Sequence, residues 1–561
     1  MNSLAVAVLA LVGFIIAYRT YGTFISQRIF GIDPSRVTPA HEFEDGVDFV
    51  PTRREILLGH HFTSIAGAAP IVGPAIAVIW GWVPAILWVV FGAIFMGAVH
   101  DFGALVVSAR HKGRSISELT EDLVGPRART LFLLLTSFAL LIVIAVFGLV
   151  IAILFTTYPQ SVLPIWVEIP IALLVGYMVY KKSANPTLAG IVAIITLYIF
   201  VYLGTIIPIE IPAFIGGNVI LTWVIILLVY AYIASTLPVW VLLQPRDYIN
   251  SHQLFVALAL MYLGLLVARP AIVAPAVNTN VPDAPMFVPF LFITIACGAI
   301  SGFHSMVSSG TTVKQLDNER DAKAVGYGGM LMEGTLAVMA VLAATAGFAS
   351  RAAWSEHYAS WSAAQGLGAK VSAFVEGGST FLTALGLSPE FATGIVAVLV
   401  VSFAATTLDS ATRIQRYIIS ELAEDYNVKA LASRHGATII AVGTAFLLAL
   451  INGGKGGLIL WPLFGATNQL MAGLALLMIT VWLVRIRKPT IYTVIPMLFV
   501  LFMTSWAMLI NVRNFAASGQ TLLLVLGIGI ILLEIWLLVE TVLTFGRIKR
   551  EPLVGADVGD D

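Results

Sequence analysis

Gly59-His60-His61-Phe62-Thr63-Ser64-Ile65-Ala66-Gly67-Ala68-Ala69-Pro70-Ile71-Val72-Gly73-Pro74 is the stretch on which the fold of this chain turns. Pro70 and Pro74 each remove an amide donor, and their rings clash with carbonyls one turn earlier. Gly67 and Gly73 let the backbone leave helical geometry nearby. Yet the stretch belongs to an apolar run, 59–80, of the length that crosses a bilayer, about 20 residues. Lipid tolerates non-helical backbone only where protein or a water-filled cavity covers it. The run therefore reads either as a kinked helix packed on its neighbours or as a spanning helix broken around a site.

The rest of the chain supports a membrane setting. Of 561 residues, 59% are hydrophobic and 11% charged, against about 45–50% and about 25% in soluble domains. With 31 basic and 31 acidic residues the net charge is zero, so no electrostatic footprint for nucleic acid exists. A mean hydropathy of +0.94 excludes a soluble domain, a disordered chain and a coiled coil. The single cysteine, Cys297, excludes an intramolecular disulfide and reads as a small buried hydrophobe. Leu4 to Ala17 lacks a basic leader and a small-residue cleavage site, so it reads as a span and not a signal peptide.

Fifteen apolar segments follow: 3–25, 59–80, 84–109, 129–155, 164–181, 186–207, 218–243, 253–270, 286–308, 326–349, 388–412, 436–452, 458–484, 490–511 and 520–546. With the N-terminus outside, only Arg269, Arg351, Lys370, Lys455 and Arg513 of the 31 basic residues lie outside. The remainder, Arg246, Lys549 and Arg550 among them, fall in cytoplasmic loops, as the positive-inside rule demands. This predicts a cytoplasmic C-terminus and no Lys or Arg near the middle of a span. The long loops, 26–58 inside and 350–387 outside, read as solvated linkers or as lids.

Five spans after the first break, Ser235-Thr236-Leu237-Pro238 interrupts a span that crosses in the opposite sense. Interrupted spans in corresponding positions of inverted halves point to a secondary transporter's binding site. The pattern predicts an all-α polytopic membrane protein with a five-plus-five inverted repeat. Residues 1–58 form an extra helix and loop, 59–217 the first repeat, 218–420 the second, and 421–561 additional helices. A half-helix beginning near Val72 offers free amides and a positive dipole end to a carboxylate. The half ending near Gly67 offers carbonyls to a cation or an ammonium group. The candidate substrate-binding residues are Gly67, Ala68, Ala69, Pro70, Gly73, Ser235 and Thr236.

Ionisable residues within spans are costly, so each needs a reason. Thr406, Asp409, Ser410 and Arg413 share a helix face. Asp409 is either the ion-pair partner of Arg413 or a protonatable, cation-linked carboxylate. Ser301, His304, Ser305, Ser308 and Thr312 share another narrow face. They serve as glue between helices or as a cation site, with His304 able to carry a proton. Together with Glu333 and Asp409, Ser301, His304, Ser305 and Ser308 are the candidates for coupling to H⁺ or Na⁺. Glu534 and Glu540 are expected to pack among the added helices. His60, His61, His100 and Asp101 have metal-ligand chemistry, but adjacent histidines point different ways along a helix, and neither a metal nor a cofactor is expected. No Gly-x-x-x-x-Gly-Lys-Ser/Thr loop is present, which argues against ATP-driven transport.

The run from Gly59-His60-His61-Phe62 to Gly73-Pro74 resembles the signature of the carbon starvation protein A (CstA) family, short form. Asp33-Pro34 through Asp48-Phe49-Val50-Pro51-Thr52, Gly298 through Gly310-Thr311-Thr312, and Gly326-Tyr327-Gly328 through Met332-Glu333 agree with it. The resemblance implies a transporter of the LeuT type taking up peptides or pyruvate under nutrient limitation. The resulting expectation is a multi-pass transporter of the cytoplasmic membrane, not an enzyme. It imports a small carboxylate nutrient, pyruvate or a short peptide, with H⁺. The competing readings are a membrane-embedded metalloenzyme built on His60, His61, His100 and Asp101, and a channel or receptor.

Overall fold

The computed structural model describes residues 2–451 and 453–548, with side chains through 544. Lys549, Arg550 and the rest of 549–561, part of the fourth expected unit, lie outside the described residues, as does Asn452 at the end of an expected span. In chain order the helices are α1 (Ser3–Arg19), α2 (Arg54–Ile65), α3 (Ala69–Ala77), α4 (Trp82–Ala109), α5 (Pro126–Thr157), α6 (Val162–Lys182), α7 (Pro186–Ile206), α8 (Val219–Thr236) and α9 (Leu243–Ala268). They continue with α10 (Phe287–Thr294), α11 (Gly302–Val307), α12 (Gly329–Ala346), α13 (Leu367–Thr383), α14 (Pro389–Asp425), α15 (Arg434–Leu450), α16 (Gly457–Arg485), α17 (Ile491–Ala517) and α18 (Thr521–Ile548). Short helical turns between them are left unnumbered. Among the described residues, twelve helices are long and apolar enough to cross a membrane, and up to thirteen if α2 and the segment from α3 to Trp80 form one bent span. The other two expected segments are α15, with 17 residues, and the interrupted pair α10 and α11.

Local chemistry sets the helix starts. The side chains of Asn185, Asn218, Ser388 and Ser433 accept amide hydrogens from the first turns of α7, α8, α14 and α15. Proline opens α5, α7 and α14, where its missing N–H costs nothing. Side-chain spacing then sorts the faces. In α7, Ala189, Ala193, Leu197 and Val201 are buried while Leu188, Val192, Ile195 and Ile199 are exposed. That is the pattern of a helix between protein and lipid. α14 and α16 are buried along most of their length and form the centre of the bundle, packed on α5.

The order of elements repeats. A broken helix (α2 and α3), a closely following helix (α4), a long helix (α5) and two more (α6, α7) recur as α10 and α11, α12, α14, α15 and α16. Two helices, α8 and α9, separate the sets. Contrary to the expected second interruption, Pro238 does not break a helix. α8 is continuous from Val219 to Thr236, and Leu237 caps it in extended conformation. A second correction concerns Arg246. It lies in α9, which begins ten residues before the expected span, and it is 1% exposed, not in a solvated loop.

Candidate functional site

The first break is where the prolines put it. α2 ends at Ile65 and α3 begins at Ala69, with an angle of 46° between the halves. Ala66, at φ −77° and ψ 52°, leaves the helix, and Pro70 falls in the first turn of α3. The carbonyls at the end of α2 are not left open. Thr406 and Thr407 of α14 donate their hydroxyls to Thr63 O (2.9 Å) and Ser64 O (3.2 Å), and Ser64 and Ser410 share a hydrogen bond of 2.9 Å. The hydroxyls that meet this break therefore come from α14, and not from the face of Ser301, Ser305 and Ser308.

The second break spans residues 295–301, between α10 and α11. Its freed groups are held by long side chains. Trp88 Nε1 donates to Ile295 O (2.9 Å), and Gln469 Nε2 donates to Phe292 O (2.6 Å). Asn468 accepts from the Phe303 amide (2.9 Å) and exchanges hydrogen bonds with the Ser301 hydroxyl. The breaks belong to one assembly, because α3 lies on the end of α10. A Cβ on Gly73 would sit 2.4 Å from Thr294 O, so only glycine permits this approach.

Between α3 and the second break lies a cavity of about 470 Å³. Ala69, Val72 and Gly73 line it from one side, Thr294, Ala296 and Cys297 from the other. Trp461 and Gly465 of α16, Asn511 and Asn514 of α17, and Asp283, Trp361 and Gln365 complete the lining, and Asp283, Gln365 and Asn514 are exposed. One basic side chain enters, Lys370 of α13. Of the expected substrate residues, Ala69 and Gly73 line this cavity. Gly67 is wedged against Thr407 and Phe147, and Ala68 and Pro70 are buried in the hinge. Ser235 and Thr236 do not line it, since they form the last turn of α8.

The expected coupling residues fall in two places. His304 Nδ1 is 3.0 Å from Asp101 Oδ2, and His100 Nδ1 is 2.7 Å from Asp101 Oδ1. Glu333 Oε2 is 3.3 Å from His304 Nε2, without hydrogen-bond alignment, and neither Glu333 oxygen meets a donor. All four side chains are fully buried. Ser301 is tied to Asn468, Ser305 donates to Gly302 O, and Ser308 Oγ is unpartnered. Asp409 lies in a separate cluster, where Arg246 donates to it at 2.5 Å and Tyr230 at 2.9 Å. Glu168 also pairs with Arg246, at 3.3 Å. The Asp409–Arg413 pair does not form, for Arg413 turns to Asp48 (2.7 Å) and to the carbonyls of Ala234 and Leu237. His60 pairs with Asp247 (2.5 Å) and His61 with Thr312 (3.0 Å). Among the described residues, no group of three or more His, Cys, Asp or Glu could hold a metal ion.

The loop 26–58 is tied down around Asp48. Asp48 accepts from Arg413, Arg416 and Tyr417 of α14. Val47 O accepts from the Val239 amide, Val50 N–H donates to Lys314 O, and Gln244 bridges Thr52 and Gln315. Burial raises the affinity of Asp48 for a proton, but Arg413, Arg416 and Lys314 outweigh it and hold its pKa at about 2. This part of the loop is a clasp across helix ends.

The profile described as Carbon starvation protein CstA matches residues 2–350 and 348–507. The chain belongs to the CstA family. A CstA described as a peptide transporter from Bacillus subtilis is 33% identical, over 98% of each chain. One from Campylobacter jejuni is 34% identical, over 90% of this chain and 79% of its own. The pyruvate/proton symporter BtsT of Escherichia coli is 31% identical, over 93% of this chain and 83% of its own. In three dimensions the chain is similar to a manganese transporter of Eremococcus coleocola, with a TM-score of 0.55 and 12% identity, over 90% of this chain and 99% of that one. Among the described residues this CstA-family chain is thus an all-helical, multi-pass membrane protein.

Arg246, Asp247, Lys370 and Asn468 were not legible as site residues. Arg246 and Asp247 follow Pro245 and read as loop, although a charged pair directly before an apolar helix is a usable signal. Lys370 opens the apolar run Val371 to Val375, which marks it as a cation entering a buried face. Asn468 stands with Thr467 and Gln469 in an otherwise apolar span, where polar residues signal partners across helices.

Proposed function

We propose that the chain is a proton-coupled secondary transporter that imports a small carboxylate-bearing nutrient across the cytoplasmic membrane. The observation that carries this reading is the cavity enclosed by α3 and the second break. It joins two interrupted helices at one wall, the arrangement expected of a transporter's binding site. The recurrence of element order supports 54–206 and 287–485 as paired units, seven spans apart and so opposite in sense. The charge asymmetry of the loops supports an orientation with Asp283 and Trp361 outside and the Asp48 clasp inside, a state closed toward the cytoplasm.

Coupling is assigned to the buried chain Asp101–His304–Glu333. A histidine between two carboxylates can pass a proton from one ring nitrogen to the other. It adjoins the second break through Ser301 and Gly302, so its charge state bears on the cavity wall. Relatives described as peptide transporters and as a pyruvate/proton symporter agree with a small substrate and, in the latter, with H⁺. The test is uptake of labelled pyruvate and of a dipeptide into proteoliposomes under imposed proton or sodium gradients. Accumulation under a proton gradient is expected, and Glu333→Gln should abolish it while sparing exchange at equal concentrations. No accumulation of either compound under any gradient overturns the reading.

A further inference from the structure

Each interrupted helix carries a fully buried imidazole paired with a carboxylate from a neighbouring helix. On α11 it is His304 with Asp101 of α4, the pair assigned above to coupling. On α2 it is His60, whose Nδ1 lies 2.5 Å from Oδ2 of Asp247 on α9. The other ring nitrogen of His60 is 3.3 Å from Thr311 Oγ1, on the helical stretch that continues α11 beyond His304. Asp247 Oδ1 meets no donor, and Asn250, three residues further along α9, is fully buried with both amide atoms unpartnered.

The charges that act on Asp247 are Arg246 beside it and Asp409 and Arg413 of α14, and Asp247 in turn acts on Glu168 of α6. Both cations are already engaged. Arg246 is shared by Asp409 and Glu168, and Arg413 donates to Asp48 and to the carbonyls of Ala234 and Leu237. Tyr230 of α8 donates to Asp409, and His61 pairs with Thr312. Among the described residues, His60 is left as the direct partner of Asp247. A carboxylate and an imidazole that share one proton are neutral as a pair. Without that proton a negative charge stays uncompensated in a dry interior, which is strongly disfavoured.

We propose that His60 and Asp247 form a second proton-binding centre, seated on the first broken helix, so that two protons accompany each cargo molecule. This rests on the transport reading above and deepens it, adding a carrier to the Asp101–His304–Glu333 chain. The pair takes one proton from the outer side and gives one up to the cytoplasm, with no other bond changed. Through it α2 is tied to α9 and, by Thr311, to the stretch beyond the second break. Loss of the proton therefore loosens the first broken helix from both.

The experiment sets a cargo gradient against a proton gradient, acidic outside, in proteoliposomes of the full chain with the voltage held at zero by potassium and valinomycin. The cargo is labelled pyruvate or L-alanyl-L-alanine, whichever the wild type accumulates. With cargo about 100-fold more concentrated inside, net flux should vanish at a gradient of about one pH unit if two protons move, and at about two units if one does. Reversal at about two units overturns the proposal. Asp247→Asn fixes the carboxyl in an uncharged form, so accumulation should be lost while exchange persists, and Asp247→Glu should recover part of the accumulation. Accumulation unchanged in Asp247→Asn, or accumulation and exchange falling together, makes the pair structural and overturns the centre. If Asp247→Asn fails to fold, His60→Gln is read by the same comparison, and the wild-type reversal point still decides the proton count. Absence of accumulation of either compound by the wild type under a proton gradient strikes the transport reading instead.

Discussion

The two breaks hold their freed backbone groups in different ways. At the first, one helix does it with small hydroxyls: Thr406 and Thr407 of α14 cover the last carbonyls of α2. At the second, Trp88, Asn468 and Gln469 reach in from α4 and α16 with long, directional side chains. The first interruption is written into its own residues by Pro70, Pro74 and Gly67, so its partners need only finish it. The second has no proline between 295 and 301, and distant side chains impose it. The first is a joint made locally; the second is a joint made by the fold.

The largest effect expected from testing this contrast is at their contact. Gly73→Val places a branched side chain against Thr294 O, a backbone atom that cannot move aside, so folded protein recovered from detergent extracts should fall to a small fraction of wild type. Next, Asp409→Ala strips Arg246 of its carboxylate partner on the helix that serves the first break. Removing one member of a buried pair costs about 3–5 kcal/mol, and accumulation and exchange should fall together, since Asp409 is committed to Arg246. Asn468→Leu orphans the Phe303 amide and should cost about 1–3 kcal/mol in unfolding stability, with exchange lost before helix content. Thr407→Val, at the self-made break, should cost only about 0.6 kcal/mol and leave exchange near wild type. If Thr407→Val proves worse than Asn468→Leu, the contrast is reversed.

The smallest expected effect is none. The pKa of Asp48 is lowered from 3.8 to about 2 in the fold, so its contribution is complete above 3.8 and lost only as pH falls toward 2. Exchange measured between pH 5 and 8 should show no step from the clasp, whereas Asp48→Asn should loosen it at every pH. Proteolysis of the 26–58 loop reads this directly.

What the sequence made legible follows the same division. Apolar length identified the long spans but not α13, which lies in the stretch 350–387 read as a linker or lid, and the proline–glycine pattern located the first break to within a residue or two. Pro238 misled because a proline just past a helix end is ordinary punctuation, and only the chain's packing shows that α8 has already stopped at Thr236. His304 and Glu333 were found as costly polar residues in apolar spans, and the structure adds Asp101 to their chain. Arg246 and Lys370 were hidden by the rule that sends basic residues to loops. Arg246 is held inside by Asp409, Glu168 and Tyr230, partners far away in sequence.

Gly73 and Gly97 share a property with a mechanical consequence. A Cβ on either would lie 2.4 Å from a carbonyl oxygen of the second break region, Thr294 O and Ala299 O respectively. Two helices with interlocked side-chain ridges must be pried apart before they slide. Here main chain rests directly on main chain, with no ridge to lift. At these two points the seam is a bare bearing surface, so a pivot about it meets no interlocked side chain there.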